Sequence, residues 1–126
     1  MSNHIHSDDA ASPVAAYTQA VRAGDLVFVS GCIPIDPGSG ELVEETIEAA
    51  TAQSLENVRN VLKGAELGFE NVVKASVFMI ESDDYAGMNK VYAEIMPEPY
   101  PAREAIFVKA LPKGARVEIS VIAHVG

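Results

Sequence analysis

The sequence of 126 residues is short of basic side chains, since nine Lys and Arg stand against eighteen Asp and Glu. The resulting formal net charge of -9 repels phosphate backbones and anionic lipid, which makes nucleic acid and membrane surfaces poor candidates as partners. No uninterrupted apolar run approaches membrane-spanning length, and the N-terminus has neither the basic nor the apolar region of a secretion signal. We therefore expect a soluble, cytoplasmic protein.

Cysteine is also scarce. The single cysteine, Cys32, excludes an internal disulfide and fits a compartment in which thiols stay reduced. Of the three histidines, His4 and His6 lie two apart but have no cysteine or third histidine near them, and His124 does not complete a ligand set, so we expect no metal site. The polar, aperiodic stretch from Met1 to Pro13 is instead typical of an N-terminal tail that is tied down only near its end.

The length and the 48% hydrophobic content predict one domain over residues 1–126, built on one continuous core. A chain of this size buries only about two-thirds of the surface that its unfolded form exposes. Sizeable pockets are therefore easier to form between subunits than inside one. This favours an oligomer.

The N-terminal part of the chain predicts a β-hairpin. Two strand-like runs, Tyr17 to Val21 and Leu26 to Cys32, are joined at Ala23-Gly24-Asp25, where glycine allows a tight turn. The segment Ser30 to Pro34 then interrupts the second strand. A glycine at position 31 would allow another backbone or a ligand to approach closely.

Helical periodicity appears twice. An i, i+3, i+4 stripe predicts a helix from Thr46 to Leu67, with Gly68 as its C-terminal cap. A second helix is predicted to start with Ser82 as N-cap, and Asp83 and Asp84 lie in its first turn beside the positive end of the helix dipole. The predicted buried stripe of this helix consists of Tyr85, Met88, Tyr92 and Ile95.

The sequence predicts three further strands, which are Val72 to Ile80, Glu104 to Ala110 and Ala115 to Val125. The resulting order, ββ-α-β-α-ββ, predicts an α+β domain in which a mixed β-sheet is covered on one face by two helices. The other face of the sheet needs a cover as well. A trimer whose sheets pack inward would supply it.

No Ser-His-Asp arrangement, Cys-x-x-Cys pair or phosphate-binding loop can be recognised in the sequence. The candidate functional residues are charged side chains that lie among apolar residues in the sequence. Arg103 enters a strand beside Ile106 and Val108, an apolar setting in which a guanidinium needs an anionic partner such as a carboxylate bound through two oxygens. The alternative is a surface ion pair on an edge strand.

Glu118 lies between Val117 and Ile119, and strand alternation places it on the opposite face from both. If that face lines a cleft, burial would raise the pKa of Glu118 toward a value useful for proton transfer; if it is solvated, no function follows. Cys32 is either a nucleophile or an inert buried thiol. The second interpretation is favoured because no histidine lies near it in sequence.

Other polar side chains are more often structural when taken alone, namely Tyr17, Ser30 and Asn89. Two aromatic residues of the second helix, Tyr85 and Tyr92, are assigned to the core rather than to a site.

Several blocks of sequence, in this order, resemble the Rid (reactive intermediate deaminase, YjgF-like) family. They are Tyr17 to Val21, Leu26 to Gly31 with Ile33-Pro34, Val72 to Lys74, Met88 to Tyr92, Pro101 to Arg103 and Leu111 to Ile119. The most specific part is Pro101-Ala102-Arg103 followed by Leu111-Pro112-Lys113-Gly114.

This resemblance implies a chorismate-mutase-like homotrimer with active sites in the clefts between subunits and with no metal or organic cofactor. It also implies hydrolysis of 2-aminoacrylate and related imines or enamines to 2-keto acids and ammonia. By position, Arg103 would bind the substrate carboxylate, Glu118 would position or activate the attacking water, and Tyr17 would border the pocket. The residues that would shape the pocket or contact the substrate are Ser30, Gly31, Cys32, Asn89 and Ala105.

The chain departs from the family pattern at four places. Cys32 replaces a usual Gln, Glu104 a usual Ser or Thr, Ala15-Ala16 a common Gly-Pro, and Ser120 a frequent second Glu. Strand alternation points Glu104 away from the face of Arg103, so its charge need not neutralise the guanidinium. We expect a pocket of different shape, suited to a larger imine.

Two other functions compete with imine hydrolysis. A non-catalytic trimer could bind small carboxylates or a partner protein in the same clefts, because fold and resemblance do not establish turnover. Nucleic-acid cleavage or translational inhibition is disfavoured by the acidic charge. Both carboxylate functions need Arg103, but only the enzyme needs Glu118.

Overall fold

The computed structural model describes residues 3–13 and 15–126, and in these residues two helices cover one face of a mixed six-stranded sheet. The strands are β1 (His4–Ile5), β2 (Ala20–Ala23), β3 (Leu26–Cys32), β4 (Val72–Met79), β5 (Ala102–Phe107) and β6 (Val117–His124). Their order across the sheet is β1-β2-β3-β6-β4-β5, and β4 and β5 are parallel while the other neighbours are antiparallel. The predicted α+β architecture is therefore confirmed.

The predicted hairpin is confirmed as β2 and β3. Gly24 occupies its turn with φ of 62°, a left-handed conformation that glycine adopts without strain. Its first strand begins at Ala20 rather than Tyr17, because the backbone bends before it and the Tyr17 N–H donates to the Ala15 carbonyl at 2.9 Å.

Helix α1 (Ile47–Gly64) starts as predicted, since the Thr46 hydroxyl accepts a hydrogen bond from the Ala49 N–H at 3.0 Å. The prediction of Gly68 as its C-terminal cap is wrong. Glu66 takes the left-handed conformation instead, with φ of 60°, and the Leu67 N–H donates to the Leu62 carbonyl at 2.9 Å. The turn closes before the chain reaches Gly68.

Helix α2 (Tyr85–Ile95) starts later than predicted, because Ser82–Asp84 forms a separate 3₁₀ turn. The prediction of Ser82 as N-cap is therefore wrong. Asp84 is buried and accepts two hydrogen bonds from the Arg116 guanidinium, at 2.8 and 3.3 Å. This ion pair ties the beginning of α2 to the chain just before β6.

The structure also corrects the prediction of an N-terminal tail, as far as residues 3–13 are concerned. Ile5 pairs with Ala20 in the sheet. The amide of Gln19, only 5% exposed, accepts from the Ser7 N–H at 2.6 Å and donates to the Ser7 and Ala11 carbonyls at 3.2 and 3.0 Å. A buried glutamine thus satisfies the backbone of a segment that looked unconstrained in sequence. Met1, Ser2 and Val14 lie outside the described residues.

The two faces of the sheet differ in their environment. The core lies between the helices and the covered face, to which β6 contributes Val117, Ile119 and Val121 and β4 contributes Val77 and Met79. The opposite face carries exposed apolar side chains, among them Phe28 and Ile106. None of the helices in the described part of the chain is long and apolar enough to cross a membrane.

The pairing of β3 with β6 is irregular at one point. Val29 pairs with Val121 and Cys32 with Ile119, so two residues of β3 lie opposite the single residue Ser120 of β6. This is a β-bulge, which re-aims the side chains around it. The sequence predicted a break here, and the bulge is its structural form.

Candidate active site

Two open clefts hold most of the residues that the sequence singled out. The first, of about 360 Å³, is called the glutamate cleft; it is lined by Tyr17, Ser30, Gly31, Ile33, Pro112 and Glu118, together with Ala15. The second, of about 220 Å³, is called the arginine cleft; it is lined by Asn89, Tyr92, Ala93, Tyr100, Pro101 and Arg103.

The carboxylate of Glu118 lies against the backbone of the β3 bulge. A Cβ atom added to Gly31 would be only 2.6 Å from Oε2 of Glu118 and 2.7 Å from its Cδ. Gly31 therefore makes room for the carboxylate, which is the close approach that a glycine at this position suggested. Partial burial raises the pKa of Glu118 above its usual range, because a half-buried carboxylate loses hydration.

Ser30 lies in the bulge, where two hydrogen bonds to the backbone hold it, and Tyr17 lines the same cleft. The Ser30 hydroxyl donates to the Thr18 carbonyl at 2.7 Å, and the Ser30 N–H donates to the Gln19 carbonyl at 2.9 Å. The hydroxyl proton of Ser30 is thus engaged with backbone, while its oxygen can still accept a hydrogen bond. Tyr17 is exposed at the rim of the glutamate cleft.

Cys32 lies behind this cleft, since it pairs with Ile119 and lines a small cavity of about 30 Å³ on the core side. Burial raises the pKa of the Cys32 thiol to about 12, and the negative charge of Glu118 acts in the same direction. A thiol in this state is a weak nucleophile at neutral pH. The structure favours the inert-thiol interpretation of Cys32.

The arginine cleft is built around a guanidinium that is held by neutral groups. Arg103 donates from Nη1 to Oδ1 of Asn89 at 2.8 Å and from Nη2 to the hydroxyl oxygen of Tyr85 at 3.0 Å. Its Cζ lies 4.8 Å from the ring centre of Tyr92, a cation–π distance. No Asp or Glu in the described ranges forms an ion pair with Arg103, so the surface ion pair considered from sequence is not found.

The assignment to the core is confirmed for Tyr92 and is wrong for Tyr85. Tyr92 is buried, yet its ring lies beneath the guanidinium, and burial raises its pKa while the charge of Arg103 opposes this effect. Tyr85 is 40% exposed, and its hydroxyl contacts Arg103. The spacing of Tyr85, Asn89 and Tyr92 places them on one face of α2, and this signal was available in the sequence.

Glu104 points away from the arginine cleft, as alternation predicted. Its carboxylate accepts from the Ser76 hydroxyl at 2.9 Å and pairs with Lys74 at 3.5 Å. The Ser76 hydrogen bond, followed by the charge of Lys74, lowers the pKa of Glu104. Ala105 lies on the same side of β5 as Arg103, is half-buried against the core and lines neither of the two clefts.

Arg103 and Glu118 do not meet within one chain. Arg103 pairs with Ala75 of β4, which pairs with Val121, a core residue of β6. Glu118 pairs with Phe78 of β4. Because side chains alternate along a strand, the odd-numbered residues of β6 face the helices and Glu118 faces the uncovered side. Arg103 and Glu118 of one chain therefore lie on opposite faces of its sheet.

Comparison with known proteins identifies relatives over almost the whole chain. A family model described as endoribonuclease L-PSP matches residues 7–125. A RutC family protein of Pyrococcus horikoshii is 41% identical over 98% of this chain and 98% of that protein. A protein of Capra hircus named 2-iminobutanoate/2-iminopropanoate deaminase is 39% identical over 97% of this chain and 89% of its own length.

The fold is shared with solved structures as well. The crystal structure of RidA from an Antarctic Psychrobacter species is 39% identical and superposes with a TM-score of 0.92, covering 95% of this chain and 97% of that chain. This confirms the predicted chorismate-mutase-like fold of a sheet covered by two helices. From the family match, the identities and the shared fold, the chain belongs to the endoribonuclease L-PSP family, which includes the Rid and YjgF-like proteins.

Proposed function

We propose that the protein hydrolyses reactive 2-imino or 2-enamino acids, of the 2-aminoacrylate kind, to 2-keto acids and ammonia. The observation that carries this proposal is the arginine cleft, in which Arg103 is oriented by Asn89 and Tyr85 but not neutralised by an acid. A fixed, uncompensated guanidinium is suited to binding a carboxylate through two oxygens. The deaminase name of the goat relative supports the same chemistry.

The active site in this proposal lies between two copies of the chain. Arg103 of one copy and Glu118 of the next would face a shared cleft, because the two residues lie on opposite faces of the sheet within one chain. The exposed Phe28 and Ile106 on the uncovered face would be buried in the assembly, which favours association. Three copies arranged in a closed ring would form three equivalent clefts.

The substrate would be oriented through its carboxylate. A guanidinium has five N–H donors, and Arg103 uses two of them on Asn89 and Tyr85. Three donors remain, which is enough for both oxygens of a carboxylate. This contact would hold the adjacent imine carbon at a defined position in the cleft.

Glu118 would then move protons. The enamine first tautomerises to the imine, whose carbon is electrophilic. As the oxygen of water adds to this carbon, the Glu118 carboxylate takes one proton of the water and delivers it to the imine nitrogen, which gives a carbinolamine. Glu118 then takes the hydroxyl proton of the carbinolamine and delivers it to the amine, so that the C–N bond breaks, ammonia leaves and the C=O bond forms. A carboxyl group whose pKa is raised by burial is suited to both directions of transfer.

Turnover can be measured as release of ammonia and keto acid from imines that amino-acid oxidases generate in situ. We expect wild type to accelerate this release above the spontaneous rate. Arg103→Ala should lose most activity on carboxylate-bearing imines, and Glu118→Gln should retain carboxylate binding but lose turnover, because an amide cannot accept the proton of water. Glu70→Gln, at an exposed position outside both clefts, is the matched control.

The same experiment distinguishes the enzyme from a carboxylate-binding protein. The proposed hydrolysis would be overturned by the following result. The wild-type protein binds pyruvate but does not accelerate ammonia release from the imines of several amino acids, and Glu118→Gln changes neither binding nor ammonia release. Binding and turnover are thus read separately.

The shared site has a sharper test in mixed assemblies. If Arg103→Ala and Glu118→Gln chains are unfolded, mixed in equal amounts and refolded, a cleft with both wild-type residues forms wherever the two kinds meet in the productive order. Random mixing then restores about one quarter of wild-type activity, from two variants that are each inactive. Light scattering should give three times the chain mass of 13.4 kDa. No recovery of activity from correctly assembled mixtures would contradict a site between chains.

A further inference from the structure

The groups that hold the Arg103 guanidinium show an asymmetry. Asn89 and Tyr92 lie on the half-buried and buried side of α2, where packing restricts them. Tyr85 is different, since it is 40% exposed and is the first residue of the helix. Core packing therefore does not account for a tyrosine at this position. Its hydroxyl is engaged with Nη2 of Arg103 at 3.0 Å, and its ring centre lies 5.9 Å from Cζ.

We infer that Tyr85 is a positioning residue for carboxylate recognition, which holds the Arg103 guanidinium through its hydroxyl without neutralising the charge. The inference rests on the proposed function, because it assumes that Arg103 binds a carboxylate. It assigns a distinct task to the phenol group. An acid at this position would hold the guanidinium as well but would compete with the substrate for it.

The backbone of Tyr85 is itself fixed from a different part of the chain. Asp84, the preceding residue, is buried and binds Arg116 through two hydrogen bonds. Arg116 also donates to the Glu44 carbonyl at 3.3 Å. These contacts hold the backbone at the first turn of α2, where the Tyr85 side chain begins. The Tyr85 hydroxyl is therefore held toward Arg103 by a fixed helix end rather than by a frayed one.

The chemical consequence concerns binding more than turnover. With the Tyr85 hydroxyl in place, Nη2 of Arg103 has a fixed direction, and its remaining N–H is presented to the substrate. Without it, the guanidinium keeps its contact with Asn89 but can rotate about that contact. The substrate carboxylate is bound equally strongly in the ground state and in the transition state. Weakening its contact with Arg103 therefore raises KM and leaves kcat nearly unchanged.

The test compares Tyr85→Phe, which keeps the ring and removes the hydroxyl, with Ser82→Ala, which removes an exposed hydroxyl at the same end of α2. The probe is pyruvate, whose binding is followed by NMR titration, and KM and kcat are measured with oxidase-generated imines. We expect Tyr85→Phe to weaken pyruvate binding and raise KM by about three- to tenfold, with kcat within about twofold of wild type. Ser82→Ala should leave both unchanged.

A double-mutant cycle shows whether Tyr85 acts through Arg103. In the Arg103→Ala background, Tyr85→Phe should have no further effect on pyruvate binding. Tyr85→Glu, which adds a competing carboxylate, should reduce binding more than Tyr85→Phe does. An unchanged affinity in a folded Tyr85→Phe variant, or the same loss with and without Arg103, would overturn the inference.

Failure of the proposed function gives a different result. If wild type binds pyruvate through Arg103 and shows no hydrolysis, the enzyme assignment fails, and the effect of Tyr85→Phe on binding alone decides the role of Tyr85. If wild type does not bind pyruvate at all, the inference about Tyr85 is wrong together with the assignment of Arg103.

Discussion

Substitution of Gly31 by alanine offers a direct test of the position of Glu118. The new Cβ would lie 2.6 Å from Oε2 of Glu118 and 3.1 Å from its Cγ, where an ordinary contact begins at 3.4 Å. Going from 2.6 to 3.4 Å, the carboxylate must move by about 0.8 Å. The backbone of Gly31 does not have a positive φ, so alanine introduces no backbone strain there. The substitution therefore acts on the carboxylate.

The expected effect is large on turnover and small on stability. A displacement of this size in a proton-transfer group can reduce the rate by about a hundredfold. The atoms that must move are the end of a flexible side chain, so we expect the free energy of unfolding to fall by only about 1 kcal/mol or less. In the Glu118→Gln background, Gly31→Ala should cause little further loss of activity, because the proton carrier is already absent.

Gly24→Ala is the matched control, because its effects should be reversed. Gly24 has a φ of 62° and no atom within 4 Å of an added Cβ, so alanine there is strained in the backbone but displaces nothing. We expect a loss of about 1–2 kcal/mol in urea unfolding with unchanged kcat. If Gly31→Ala is folded and turns over imines within twofold of wild type, Glu118 is not the proton carrier in the position described.

Three further predictions concern other parts of the molecule. Cys32 should react with iodoacetamide far more slowly than a free thiol at pH 7, as followed by mass spectrometry, because burial raises its pKa to about 12; fast alkylation of the folded protein would contradict this. Asn57→Ala should destabilise the fold by about 2–4 kcal/mol in urea unfolding, because a 1% exposed amide that donates to the Ile33 and Ile35 carbonyls at 3.2 and 2.9 Å is lost; a loss below about 1 kcal/mol would refute the reasoning. Burial raises the pKa of Glu118, so the native state loses stability as the carboxyl group ionises with rising pH. Glu118→Gln should therefore raise Tm at neutral pH and leave it unchanged at about pH 4. Equal increases of Tm at both pH values would indicate an effect of packing instead.

The class of fold could be predicted from local patterns. The helical stripe that starts after Thr46, the hairpin turn at Gly24 and the β-branched run of β4 each reflect the conformational preference of a short segment. Such preferences depend on residues within a few positions of one another. They also placed Glu104 and Arg103 on opposite sides of β5, because alternation is a property of any strand.

Helix ends were predicted less well, for a related reason. Gly68 and Ser82 are residue types that helix caps prefer, but in the structure other residues form the ends of the two helices. Glu66 adopted the left-handed turn, and Asp84 was engaged by Arg116, which lies 32 positions along the chain. A preference of about 1 kcal/mol for a cap is easily exceeded by such tertiary contacts.

The candidate site depended most on tertiary structure. Local sequence named Arg103 and Glu118, but their separation on opposite faces follows from the register of three strands, β5, β4 and β6, which no single segment encodes. The contact of Tyr85 with Arg103, 18 positions apart, likewise exists only because α2 packs beside the edge strand. Residues determine which chemistry a chain can perform, whereas the pairing of distant segments decides which side chains meet, because that pairing is selected by burial of the whole core.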